Sequence, residues 1–319
     1  MKIRFWGTRG SIPVSLTTAQ VRAKLAAALH GAQGLDLGTP DAVERYIDGL
    51  GFDVAGTFGG HSSCVQLDTG GSEHVILDLG SGVRPLGEAM LSRFGPGSPQ
   101  TYHVFLSHLH WDHIMGFPFF TPVYIPGNRI VVHACHPEAE HALRRQQAAP
   151  SFPVAFEQLA ARIEFVTHRP GERFSAAGLQ VRAHLQYHAG DSYGWRFEDP
   201  AGAAVVYSTD SEHKLRDAAQ RSGFVDFFAD AHTVIFDAMY SLPDAISVKA
   251  DWGHSSNVTG VELCQAARVR RLVLFHHEPA YGDAQIAAVL QETRRLEQLT
   301  RDSAPLEVVS AWDGLELTL

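Results

Sequence analysis

Four side chains of the metal-ligand type fall within six positions of the stretch Val104-Phe-Leu-Ser-His108-Leu-His110-Trp-Asp112-His113-Ile-Met-Gly116. They directly follow an apolar run, Tyr102 to Leu106, whose β-branched and aromatic residues predict a buried strand. Side chains at positions i and i+2 of an extended segment project to the same side, so His108 and His110 can bind one cation together. Asp112 and His113 then fall where the chain must turn.

Two ligand pairs that point in different directions indicate two metal ions rather than one. Imidazole and carboxylate ligands suit zinc, and manganese or iron are the alternatives. An exposed histidine-rich loop is the competing interpretation, because a single histidine is usually structural. The spacing H-x-H-x-D-H directly after a strand is far more specific than a lone histidine and favours the metal site.

This stretch resembles the signature of the metallo-β-lactamase-fold hydrolases. The resemblance implies an α/β fold, an αββα sandwich of two mixed β-sheets flanked by helices, with the metals along one edge of the sheets. Three other segments resemble the branch that includes ribonuclease Z and bacterial cyclic-phosphate phosphodiesterases: residues 5–13, the run Gly59-Gly-His-Ser-Ser-Cys64, and the turn Leu77-Asp-Leu-Gly-Ser-Gly82. That branch usually has asparagine at the position of His61.

The resemblance also implies which downstream residues complete the centre. His188 ends a strand-like run and takes the position of the third ligand to the first metal, with His184 on the same face as the runner-up. Asp210 matches the carboxylate that bridges both metals, although an aspartate that caps a helix is the alternative. His276 takes the position of the last ligand. The implied sets are His108, His110 and His188 on the first metal, Asp112, His113 and His276 on the second, and Asp210 on both.

Two further residues are expected beside the metals rather than on them. Gly253-His254-Ser255 resembles an element that the branch places next to the metals, so His254 is expected to protonate the leaving alkoxide. Asp237 ends an apolar strand, where a lone carboxylate would be costly to bury, and is expected to orient His254 or a metal ligand. Asp112 is expected to share in proton handling, and His277 either to support a metal ligand from outside or to be structural.

These features predict a dinuclear metal-dependent phosphodiesterase with two divalent transition-metal ions. Two cations lower the pKa of a bridging water, so that hydroxide forms at neutral pH, and they neutralise phosphate oxygens. The expected substrate is a small phosphodiester, either a cyclic nucleotide or a related cyclic phosphate. The alternatives are an RNA 3′-end processing nuclease, a lactone or ester hydrolase of the same fold, and a metal-bound sensor without turnover. A net charge of −9 argues against nucleic acid as the partner.

Length and composition limit the number of domains and the compartment that we expect. The 319 residues contain no internal repeat or low-complexity linker, which predicts one hydrolase domain over residues 1–319. We expect no membrane segment and no signal peptide, because no apolar run approaches the ~18 residues that span a bilayer. Three cysteines in apolar contexts predict buried, reduced thiols and a cytoplasmic protein.

Residues 14–56 depart from strand periodicity and predict a helical insertion. Thr17 and Gln20 predict a capping box, and a second helix is expected to begin at Thr39 and Pro40. The apolar residues of each helix recur at helical spacing. Those of the first helix form one face, Val21, Leu25, Ala28 and Leu29, and those of the second helix are expected to face inward, Val43, Tyr46, Ile47 and Leu50. The insertion is expected to pack beside the active site or at a homodimer interface, and simple covering of the core is the alternative.

Overall fold

Two seven-stranded sheets form the centre of the computed structural model, which describes residues 1–213, 217–240, 252–302 and 304–319. The strands are β1 (Lys2–Gly7), β2 (Cys64–Asp68), β3 (Glu73–Leu77), β4 (Thr101–Phe105), β5 (Arg129–Ala134), β6 (Arg162–Thr167), β7 (Arg173–Ala176), β8 (Leu179–Gln186), β9 (Ser192–Glu198), β10 (Ala204–Ser208), β11 (Thr233–Asp237), β12 (Arg271–Phe275), β13 (Glu307–Ser310) and β14 (Glu316–Thr318). The first sheet has the order β14-β1-β2-β3-β4-β5-β6, and the second has the order β13-β12-β11-β10-β9-β8-β7.

Helices cover the outer faces of both sheets. In the described residues they are α1 (Thr18–Gly31), α2 (Pro40–Asp48), α3 (Phe52–Ala55), α4 (Val83–Phe94), α5 (Trp111–Ile114), α6 (Ala139–Gln146), α7 (Ala218–Phe228), α8 (Asn257–Ala266) and α9 (Asp283–Thr300). The predicted αββα sandwich of two mixed sheets is therefore confirmed.

Parallel pairing places the ends of several strands at one edge of the sandwich. Strands β3 to β6 pair in parallel in the first sheet, and β10 to β13 do so in the second. The carboxyl ends of parallel strands lie at the same edge of a sheet. The segments that follow β4, β10 and β12 therefore meet there, together with the last residue of β11.

The two sheets enclose the main hydrophobic core. Phe5 and Phe105 from the first sheet pack with Trp195 and Phe197 from the second, and all four side chains are fully buried. Burial of a large apolar side chain contributes ~1.5–3 kcal/mol to stability. Trp195 also donates a hydrogen bond from Nε1 to the carbonyl of Leu106 at 3.0 Å. This bond fixes the segment that leads into His108 against the opposite sheet.

The insertion is helical as predicted, but neither α1 nor α2 contains a fully buried residue. The Thr17–Gln20 capping box and the Thr39 cap both form. Val21, Leu25 and Leu29 are nevertheless 43%, 59% and 72% exposed, and no residue of α1 is buried. The predicted inward face of α2 forms only in part, because Val43, Tyr46 and Leu50 are half-buried whereas Ile47 is 40% exposed.

Lys24 makes the main polar contact between α1 and the rest of the domain. Its Nζ lies 2.7 Å from Oδ2 of the buried Asp283 and donates to the carbonyl of Gly56 at 2.8 Å. The Tyr46 hydroxyl donates to the carbonyl of Ala28 and joins α2 to α1. These bonds anchor the insertion through its polar face and leave the apolar stripe outside.

The cysteines match the sequence-based expectation. Cys64, Cys135 and Cys264 are free and buried. Burial raises the pKa of each thiol, that of Cys135 to about 12, which keeps the groups protonated and unreactive. Among the described residues, every helix is too short or too polar to pass through a bilayer.

Candidate metal centre

The ligand candidates converge from four separate segments at the shared sheet edge. The turn after β4 and helix α5 supply His108 to His113, and the loop after β8 supplies His188. Asp210 follows β10 and His276 follows β12. Asp210 and His276 adopt positive φ angles of 45° and 60°, which are uncommon for residues with a side chain. Such strained backbone is typical of functional sites, where the surrounding structure holds it in place.

The first group comprises His108, His110 and His188, whose ligand atoms lie within 4.8 Å of one another. Nε2 of His188 is 3.1 Å from Nδ1 of His110. Nδ1 of His188 donates to the carbonyl of Gly253 at 2.8 Å, so its Nε2 carries the lone pair. These three side chains therefore present a set of nitrogen donors to one point.

The second group comprises Asp112, His113 and His276, with Asp210 beside them. Nε2 of His113 lies 3.3 Å from Nε2 of His276 and 3.1 Å from Oδ2 of Asp112. Nε2 of His276 lies 3.3 Å from the same Asp112 oxygen. The backbone N–H of Ser11 donates to that oxygen at 2.8 Å and fixes the carboxylate in this orientation.

Asp210 directs its two oxygens at the two groups. Oδ1 lies 3.1 Å from Nε2 of His113 and 3.2 Å from Nε2 of His276. Oδ2 lies 3.7 Å from Nε2 of both His108 and His188. A carboxylate in this position can share its oxygens between two cations.

The donor set fits divalent metal ions. Nε2 of His108 is buried and has no hydrogen-bond partner in the described part of the chain, which is costly unless a ligand satisfies it. Burial lowers the pKa of His108, His110 and His188, and the neighbouring imidazoles lower it further. These rings are therefore held neutral, the form that binds a metal.

The carboxylates of the centre are held ionised. Burial alone would raise the pKa of Asp112 and Asp210, but the surrounding histidines lower both values well below the usual range. Burial likewise would lower the pKa of His113, and three carboxylates, those of Asp112, Asp210 and Asp78, raise it instead. The second group is consequently a strongly anionic environment that favours a cation.

Asp78 is a functional candidate that the sequence analysis did not identify. It is fully buried, and its Oδ2 accepts hydrogen bonds from Nδ1 of His113 at 2.7 Å and from the Tyr207 hydroxyl at 2.8 Å. Ser107 donates to the same carboxylate from both its N–H and its hydroxyl, each at 2.7 Å. A carboxylate on the outer nitrogen of a ligand histidine fixes the ring and its tautomer.

Two glycines allow the chain to approach the ligand histidines closely. A Cβ on Gly10 would lie 2.6 Å from the ring of His276, and one on Gly253 would lie 2.4 Å from Nδ1 of His188. Gly253 also has a positive φ of 80°, which disfavours other residues. Larger side chains at either position would displace a ligand candidate.

His254 and Asp237 form a pair at the border of the centre. Nδ1 of His254 donates to Oδ2 of Asp237 at 2.9 Å and lies 3.9 Å from Oδ2 of Asp210. Burial lowers the pKa of His254, but Asp237 and Asp210 outweigh that effect and raise it to about 9. The structure therefore brings the two predicted residues together as a hydrogen-bonded imidazole–carboxylate pair.

Three other histidines lie outside the centre. His184 stacks on Phe227 with ring centroids 4.9 Å apart and is absent from the ligand groups of the described residues. His277 is buried and bonds the carbonyl of Ala311 at 2.8 Å, which is a structural role. Nδ1 of His61 lies 3.1 Å from the hydroxyl of Ser81, in the turn region.

Comparisons with known proteins agree with this geometry. Residues 77–277 match the family model described as "Beta-lactamase superfamily domain". An uncharacterised protein of Mycobacterium leprae is 28% identical over 216 residues, which are 64% of this chain and 67% of that protein. Ribonuclease Z of Bradyrhizobium diazoefficiens is 22% identical over 68% of this chain and 84% of its own. The solved structure of the metallo-β-lactamase fold protein YhfI from Bacillus subtilis superposes with a TM-score of 0.64 at 15% identity, over 99% of this chain and 98% of that one.

Proposed function

This chain belongs to the beta-lactamase superfamily, a family of metal-dependent hydrolases, and we propose that it is a dinuclear phosphodiesterase. Its proposed substrate is a small phosphodiester, either a cyclic nucleotide or a related cyclic phosphate. The observation that carries the proposal is the position of Asp210, whose two oxygens face two separate histidine groups. We further propose that residues 1–319 are a single hydrolase domain, since the ligand candidates come from both sheets.

The proposed metal ligands divide into two sets that share one carboxylate. They are His108, His110 and His188 on the first metal, Asp112, His113 and His276 on the second, and Asp210 on both. Two bound divalent ions supply Lewis-acid chemistry, because they acidify water and neutralise phosphate oxygens. Zinc suits these nitrogen and oxygen donors, and manganese or iron are alternatives.

The residues of the chain that handle protons are His254, Asp237 and Asp112. The bond from Nδ1 of His254 to Asp237 leaves Nε2 to deliver a proton to the departing alkoxide. Asp237 positions that ring and keeps the imidazolium favourable. Oδ2 of Asp112 faces the histidines and the Ser11 N–H, so its other oxygen remains for a hydrogen bond to the attacking water.

A ribonuclease Z-like 3′-end nuclease is the second candidate, favoured by the similarity to the Bradyrhizobium enzyme. The net charge of −9 argues for the smaller substrate. Nonspecific affinity for nucleic acid arises mainly from lysine and arginine side chains that neutralise phosphates. A small diester makes no such demand on the protein surface. Three buried thiols further support a reducing, cytoplasmic environment.

A hydrolysis screen on metal-loaded protein tests the proposal. Purified protein is assayed on bis-p-nitrophenyl phosphate, 3′,5′-cyclic AMP, a tRNA precursor and a lactone, with Asp210→Ala as the matched inactive control. We expect turnover of the two small diesters to exceed that of the tRNA precursor and the lactone. Salt-sensitive 3′ cleavage of the tRNA precursor at nanomolar enzyme, without turnover of either diester, would overturn the assignment in favour of the nuclease.

A further inference from the structure

Two tryptophans stand exposed beside the candidate metal centre. Trp111 is 74% exposed and lies between His110 and Asp112, and Trp252 is 61% exposed and precedes Gly253. The two segments adjoin, because the carbonyl of Gly253 and Nδ1 of His110 both contact the ring of His188. Large aromatic side chains exposed in segments that adjoin a site can form part of a binding surface.

A cavity of about 460 Å³ has Trp111 in its wall. Its walls include Met115, Phe119 and Phe152, and Phe119 is 54% exposed. The rings of Phe119 and Phe152 meet edge to face with centroids 5.5 Å apart, which fixes one wall. The volume lies within the ~300–1,000 Å³ that is typical of small-molecule sites.

The polar groups of the cavity favour a planar ligand with hydrogen-bonding edges. Arg145 lines it and is exposed, and its side chain has no ion-pair or hydrogen-bond partner among the residues that the structure describes. None of the described lining residues is acidic. An arginine beside aromatic faces can stack on a heteroaromatic ring or donate to its edge.

We infer that this cavity binds the base of a nucleotide whose phosphodiester lies at the metal centre. The inference rests on the proposed function and narrows the proposed substrate class to nucleotides, in preference to cyclic phosphates that lack a base. Trp111 lies on the same short helix as Asp112 and His113, so this helix supplies both a wall of the cavity and two of the ligand candidates. Stacking on aromatic side chains is tolerant of base identity, so several bases should be accepted.

The test compares substrates with and without a base. Metal-loaded wild type, Trp111→Leu and Phe119→Leu are assayed on 3′,5′-cyclic AMP and on glycerol 1,2-cyclic phosphate. In each variant the ratio of kcat/KM for cyclic AMP to kcat/KM for glycerol cyclic phosphate should fall by about 5- to 150-fold. This is the range for loss of one stacking contact. The fall should come mainly from a higher KM for cyclic AMP. Leu299→Ala, an equally exposed apolar residue on α9, should leave that ratio unchanged.

A titration with 5′-AMP, followed by tryptophan fluorescence, separates failure of the subsite from failure of the proposed activity. Quenching in wild type that weakens in Phe119→Leu supports the subsite even if neither diester is hydrolysed. Hydrolysis of both diesters with the same ratio in all variants would overturn the subsite and leave the phosphodiesterase intact. A dimer that dissociates in Trp111→Leu, without any change in AMP affinity, would assign the exposed aromatics to self-association and also overturn it.

Discussion

The row of buried histidines at His133 should make stability depend on pH. His133 is 5% exposed and lies between His103 and His168, with nitrogen separations of 3.0 and 2.9 Å. Burial, assisted by the charges of the two neighbouring histidines and Arg129, lowers the pKa of His133 to about 3. An unfolded chain titrates its histidines near ~6.5. Between these two values the unfolded state binds a proton that the folded state does not.

The sign and size of the effect follow from linkage. Stability rises with pH wherever the unfolded state holds more protons, so the contribution of His133 is present above pH ~6.5 and is lost on acidification. Between pH 7 and pH 5 the loss amounts to ~2 kcal/mol from this one residue. The free energy of unfolding of wild type and of His133→Gln is measured by urea denaturation at the two pH values. Its change between pH 7 and pH 5 should be smaller by that amount in the variant.

His141 supplies the matched control for this experiment. It is an exposed histidine on α6, solvated in both states, and His141→Gln should retain the pH dependence of wild type. The same free-energy change between pH 7 and pH 5 in wild type and in His133→Gln would refute the reasoning. It would mean that the folded protein protonates His133 without penalty.

Three other predictions test the site and the fold. His254→Ala should retain metal and slow the hydrolysis of cyclic AMP, whose alkoxide leaving group needs a proton, by ~10²–10⁴-fold. It should slow the hydrolysis of a p-nitrophenyl diester much less. Equal losses of both activities in folded, metallated protein would show that His254 is not the general acid. Asp78→Asn should weaken the affinity for metal, measured by competition with a chelator, by ~10–100-fold. An affinity equal to that of wild type would show that Asp78 does not orient His113 for metal binding. Lys24→Met should lower the free energy of unfolding, measured by urea denaturation, by ~3 kcal/mol because it leaves the buried Asp283 carboxylate without its cation. The control Leu25→Gln should lower that free energy by less than ~0.5 kcal/mol. Comparable losses in the two variants would show that packing holds the insertion.

Local sequence patterns predicted the strands that lead to the ligand candidates, whereas the αββα sandwich was expected from the family resemblance. Each candidate follows or ends an apolar strand, and parallel strands bring such positions to one edge. His108 and His110 lie two positions apart, which alone places them together. Their convergence with His188, His254 and Asp237 required the tertiary fold and was expected only from resemblance.

Asp78 and the exposed face of α1 show where local patterns were insufficient. The partners of Asp78 come from two distant segments, at Ser107 and Tyr207, so spacing could not reveal them. A carboxylate among apolar residues at the end of β3 was the available signal, since its burial requires compensation. For α1, periodicity identified the apolar face correctly, but it cannot say whether another surface covers that face.

Metal content measured by elemental analysis tests the central claim most directly. Wild-type protein purified with excess zinc should carry close to two equivalents. His110→Ala, which alters only the first group, should lose mainly one ion, whereas Asp210→Ala should reduce occupancy at both sites together, because its oxygens face both groups. A stoichiometry of one in wild type that Asp210→Ala leaves unchanged would contradict the dinuclear centre.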